Sequence, residues 1–132
     1  MPTYEPYKGK EADLQKATAK WIRLAYPNLL AFHVPNGGLR PVTTLVRRDG
    51  LKQVNLVGAD LKRQGVMNGV PDWVILHPAQ GYHGLFIELK NAAGTLTDAQ
   101  KAFITQATSA GYCCKVARSL QEFMDIVNEY FL

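Results

Sequence analysis

Cysteine is nearly missing from this 132-residue chain: it has two, Cys113 and Cys114, side by side. Neighbours in a strand point to opposite faces, and a bond between them would be strained. Neither has a CxxC partner or a nearby His cluster, which speaks against a zinc site. They read as reduced thiols of a cytosolic protein, one in the core and one facing out. No segment approaches the ~20 apolar residues of a membrane span, and Met1 to Tyr7 lacks the apolar region of a signal peptide. A soluble cytoplasmic protein without a membrane partner is the expectation. Internal repeats, low-complexity tracts and linkers are also missing, so residues 1–132 read as a single domain.

What the chain does have is apolar content of 47% with 20% charged residues, enough for a real core. Its net charge is +4, with a pI near 9.1, a mild pointer to a polyanionic partner. The distribution says more than the total. Arg40, Arg47, Arg48, Lys52, Lys62 and Arg63 gather in one span, which reads either as a phosphate-contacting surface or as a solvated face.

The chain is organised around Gly69 to Lys90. Val70-Pro71-Asp72-Trp73-Val74-Ile75-Leu76 and Gly84-Leu85-Phe86-Ile87-Glu88-Leu89-Lys90 flank a polar turn, and the pattern predicts a hairpin. The strand period of two puts Glu88 and Lys90 on one face and Leu89 on the other. In an antiparallel pair the start of one strand lies beside the end of its partner, so Asp72 is brought to Glu88 and Lys90. Two carboxylates so close repel unless a cation neutralises them, and a hard divalent ion with oxygen ligands suits them. Taken singly, Asp72 also reads as a turn cap and Glu88–Lys90 as an ordinary ion pair.

Around this hairpin, Leu14, Ala17, Trp21, Leu24 and Ala25 recur at helical spacing, predicting a helix from Lys10 to Tyr26 that ends at Pro27. Glu11, Gln15, Thr18 and Ile22 occupy the adjacent face, with Glu11 in the first turn as a favourable N-terminal charge or something more. Leu29 to Val34 reads as a short strand, stopped by Pro35-Asn36-Gly37-Gly38. His33 reads as a packed strand residue or a phosphate contact. Val42 to Val46 suggests a strand, Arg47-Arg48-Asp49-Gly50 a turn, and Val54, Val57 and Leu61 a short helix closed at Gly65. Thr97-Asp98-Ala99-Gln100 is a capping box that opens a helix with Phe103, Ile104 and Ala107 inward, ending at Gly111. Gln100 is thereby either a cap or a partner of the hairpin's charges, or both. Tyr112 to Ala117 reads as a strand. Ser119 to Glu122 is a second capping box, opening a helix with an apolar stripe of Leu120, Phe123, Met124, Val127, Tyr130 and Phe131.

Gly69-Val70-Pro71-Asp72 and Ile87-Glu88-Leu89-Lys90, with Pro35-Asn36-Gly37-Gly38, Gly94-Thr95-Leu96-Thr97-Asp98-Ala99-Gln100, and Glu11 and Gln15 on the first helix, resemble the VRR-NUC domain. This is the virus-type replication-repair nuclease branch of the PD-(D/E)XK superfamily. The resemblance spans Glu11 to Tyr130 and implies an α/β, restriction-endonuclease-like core: a mixed central sheet of about four strands flanked by helices. It implies an Mg²⁺-dependent endodeoxyribonuclease, with Mn²⁺ able to substitute. The ligands implied are Glu11, Asp72, Glu88 and the Leu89 carbonyl, and the catalytic residues Asp72, Glu88, Lys90 and Gln100. Asn36, Gly37, Gly38, Arg40, Arg47, Arg48, Lys62 and Arg63 would face DNA. Relatives of this size imply a homodimer that cuts branched DNA such as four-way (Holliday) junctions in repair, and a phage-type origin in a host cytoplasm. The competing reading is a non-catalytic nucleic-acid-binding or assembly module on the same fold; an RNA-cutting relative is a third.

Overall fold

The computed structural model describes residues 2–35, 44–46 and 53–132. In chain order they form α1 (Glu11–Ala25), β1 (Ala31–His33), β2 (Thr44–Val46), β3 (Gln53–Asn55), α2 (Leu56–Arg63), β4 (Trp73–Ile75), β5 (Leu85–Leu89), α3 (Asp98–Ser109), β6 (Cys113–Ala117) and α4 (Leu120–Tyr130). Strands β1-β4-β5-β6 make the central sheet, and β2 and β3 pair separately. The β1/β4 and β4/β5 pairs are antiparallel and β5/β6 is parallel. A parallel pair needs a crossover, which α3 supplies. The result is the mixed four-strand α/β fold that the motifs imply.

The hairpin forms because its two apolar runs are joined by a turn that suits them. Ala79 and Tyr82 exchange backbone hydrogen bonds, and Gln80 and Gly81 between them adopt φ of 52° and 83°. Two positive φ values in a row match the right-handed twist of the flanking strands. Trp73, Ile75, Leu85, Ile87 and Leu89 are buried together with Leu14, Ile22, Phe123 and Val127 of α1 and α4. On the opposite face Phe86 meets the ring of Phe103 on α3 edge-on, at 5.1 Å.

Three expectations change. The buried stripe of α1 is Leu14, Thr18 and Ile22, whereas Leu24 is 75% exposed. The stripe is rotated because Thr18, polar by type, is satisfied at depth: its hydroxyl donates to Gln15 O at 2.7 Å and accepts from Trp73 Nε1 at 3.0 Å. This turns Glu11 and Gln15 further towards the sheet. At α4, Ser119 Oγ accepts from Glu122 N as expected, but Glu122 Oε1 reaches back to Arg118 N, one residue before the cap. Cys113 is buried, and Cys114 is half-buried rather than facing out; burial raises both thiol pKa values, Cys114 bonding Thr108.

The segment from Gln53 to Gly65 also differs in detail. The helix predicted around Val54 to Leu61 begins at Leu56, and Gln53–Asn55 is strand β3, paired to Thr44–Val46. Gly65 follows α2 with φ of 101°, the left-handed closure its type allows.

Candidate functional site

The register of β4 on β5 pairs Trp73 with Ile87. One step further along the hairpin, Asp72 faces Glu88. Asp72 Oδ2 accepts from Leu89 N at 2.7 Å. Its backbone carbonyl accepts from Val34 N and from His33 Nδ1, both at 2.8 Å. A carbonyl only accepts, so His33 carries its proton on Nδ1 and braces the strand end from which Asp72 projects.

Glu88 is 4% exposed and Lys90 7%. Glu88 Oε1 accepts from Gln100 Nε2 at 3.0 Å and lies 3.7 Å from Lys90 Nζ. Burial first, and then the charge of Asp72 and a hydrogen bond with it, push the Glu88 carboxyl up to about 8; Lys90 pulls it the other way, and Glu11 adds a smaller upward push. Burial and the acid across the strand pair thus favour the protonated form of Glu88. Gln100 uses both ends of its amide. Its Oε1 accepts from Thr97 N at 2.9 Å, completing the cap of α3, while its Nε2 holds Glu88.

Glu11 arrives from α1. Its Oε1 accepts from Asn91 N at 3.3 Å, just past Lys90. The turn at 91–94 is clamped: Arg118 Nη1 donates to Asn91 O at 2.9 Å and to Gly94 O at 2.7 Å, and Asn91 Oδ1 accepts from Gly94 N at 2.9 Å.

Two glycines make room for this assembly. A Cβ on Gly94 would stand 2.6 Å from Glu11 Oε1 and 3.1 Å from Lys90 Cδ. Gly69 has φ of 87°, and a Cβ there would strike the backbone of Ala99. Gly69 therefore lets the lead into β4 run against the first turn of α3, which brings Asp72 and Gln100 to the same place. The sequence marks Gly69 within its motif. Arg118, Asn91 and the bracing role of His33 carry no signal in the sequence, because each acts on residues far away in the chain.

Other predicted site residues lie elsewhere. Lys62 and Arg63 are exposed on α2, where Arg63 pairs with Asp60 at 3.5 Å. Asn36, Gly37, Gly38, Arg40, Arg47 and Arg48 lie outside the described residues, as does the turn at 47–50.

The donor set fits a hard cation: two carboxylates from adjacent strands, with the Leu89 carbonyl predicted beside them. Burial and mutual repulsion disfavour two bare negative charges there, and a divalent ion would offset them. Among the described residues, no three His, Cys, Asp or Glu side chains already converge as an ion's ligands. Glu11 accepts from Asn91 N, and its charge also reaches Glu88.

A family model described as the VRR-NUC domain matches residues 8–121. A solved structure described as a VRR_NUC domain protein is similar at a TM-score of 0.64 and 27% identity, over 93% of this chain and 89% of that one. Among curated proteins there is no match.

Proposed function

Because the chain belongs to the VRR-NUC family, we propose that it is a divalent-cation-dependent endonuclease that hydrolyses phosphodiester bonds in branched DNA, including four-way junctions. The observation that carries this reading is the pairing of half-buried Asp72 with buried Glu88, with Lys90 Nζ 3.7 Å from Glu88. Placing an amine and two acids at the end of an apolar strand is costly without a use.

Asp72 and Glu88 would hold Mg²⁺ or Mn²⁺, with the Leu89 carbonyl and Glu11 completing the site. When bound, the ion polarises the phosphate and lowers the pKa of water. The chain's own groups do the rest. Gln100 fixes the rotamer of Glu88. The bond from Leu89 N orients Asp72. Lys90 holds a positive charge where negative charge develops on the phosphate oxygens. The basic residues from Arg40 to Arg63 would contact phosphates and position the duplex arms. A homodimer would offer two sites related by a two-fold axis, which suits a symmetric junction. The complete Asp72, Glu88 and Lys90 set favours this reading over a non-catalytic binding module.

The test is incubation with linear, flap and four-way DNA, each with Mg²⁺, Mn²⁺ or a chelator. Cleavage should need the ion and favour a branched substrate, and Glu88→Ala should stop it while leaving binding largely intact. Cleavage that persists in both Glu88→Ala and chelator would refute the proposal. Cleavage of RNA alone would move the substrate class.

A further inference from the structure

Gln15 lies one helical turn after Glu11 on α1. Its Oε1 and Nε2 are both shielded from solvent, and among the described residues neither has a hydrogen-bond partner. Its neighbours on the helix are settled: Leu14 is 1% exposed, and the backbone carbonyl of Gln15 itself accepts from the Thr18 hydroxyl. An unpaired buried amide group is costly, and folded proteins keep few of them. An apolar side chain of the same length would fill the space without that cost, so the carboxamide calls for a partner.

Helix geometry says where that partner sits. Residues four apart share a face, and side chains lean towards the helix N-terminus. Gln15 therefore lies over the turn that carries Glu11. Glu11 in turn borders the clamped 91–94 segment and Lys90. An amide offers one donor group and one acceptor, Glu11 offers only acceptors, and water offers both. A buried polar spot of this kind is where ordered water is held.

We infer that Gln15 is a positioning residue of the cation site, holding a water of the cation's hydration shell against Glu11. This rests on the proposed function, since it presumes that Asp72 and Glu88 take a cation. It also gives Glu11 a means of joining the site without leaving its turn. Partners of this sort typically change metal affinity by about 10–100-fold.

The test uses the whole chain and the variants Gln15→Met and Gln15→Leu. Calorimetry gives the Kd for Mg²⁺ and Mn²⁺, and thermal unfolding in chelator reports the fold. The expected result is a melting temperature in chelator at or above that of the unchanged protein, because the unpaired amide is gone, together with a Kd weakened about tenfold or more. The double variant Glu11→Gln/Gln15→Met should bind no more weakly than Glu11→Gln alone, because both act through one water. Variants that bind the cation within about twofold of the unchanged protein, whether or not their melting temperature falls, would make Gln15 a packing residue or the holder of an unrelated water, and overturn the inference. If the unchanged protein binds neither ion, the proposed function itself fails and the inference goes with it.

Discussion

Replacing Glu88 by glutamine should make the cation-free protein more stable at alkaline pH and leave it nearly unchanged in acid. Glutamine keeps the shape and can still accept from Gln100 Nε2, while its own amide can donate to Asp72. The side chain it replaces is buried beside another acid, and its carboxyl is held up at about 8 against an ordinary 4.5. The folded state therefore binds a proton there that the unfolded state has released between those two values. Stability from this group is full below about 4.5 and is lost as the pH rises to about 8. At 1.36 kcal/mol per unit the ceiling on the loss is about 5 kcal/mol. Water and side-chain rearrangement around the charge should leave about 2–3 kcal/mol of it. Urea unfolding in chelator at pH 5 and pH 8.5 reads this directly. The unchanged protein should lose stability across that window relative to Glu88→Gln, and saturating Mg²⁺ at pH 8.5 should restore it in the unchanged protein alone. A gap between the two proteins that does not vary with pH, or a less stable Glu88→Gln at pH 8.5, would refute the reasoning.

Three further outcomes follow from the geometry. Gly94→Ala should displace Glu11, whose carboxylate tip can give way cheaply; unfolding should shift by less than about 1 kcal/mol, while cation affinity by calorimetry falls about tenfold. Gly69→Ala meets backbone as well as a φ of 87°, so it should cost about 2–4 kcal/mol in urea unfolding. Gln100→Ala removes half of the α3 cap and the hold on Glu88; about 1 kcal/mol of stability should go, with a larger proportional loss in the cleavage rate, whereas equal losses would reduce Gln100 to a cap.

The parts of the fold readable from the sequence are those set by local rules. The apolar runs around Trp73–Ile75 and Leu85–Leu89, joined by a polar turn, set the hairpin, and antiparallel pairing brings Asp72 to Glu88. Thr97 and Gln100 announce α3 because a capping box is a short-range pattern. The α1 stripe misleads because Thr18 is polar by type yet buried, satisfied by Trp73 fifty-five positions away. Strand β3 escapes notice because Gln53-Val54-Asn55 alternates over too short a run and merges into α2. The clamp of Arg118 on the 91–94 turn and the brace of His33 on Asp72 depend on tertiary contacts that no local pattern encodes.

A crystal soaked in Mn²⁺ and measured for anomalous scattering would put the central claim to its most direct test. One strong peak is expected between the Asp72 and Glu88 carboxylates, at about 2.0–2.6 Å from an oxygen of each. A map with no peak there, at an ion concentration that supports cleavage in solution, would contradict the account.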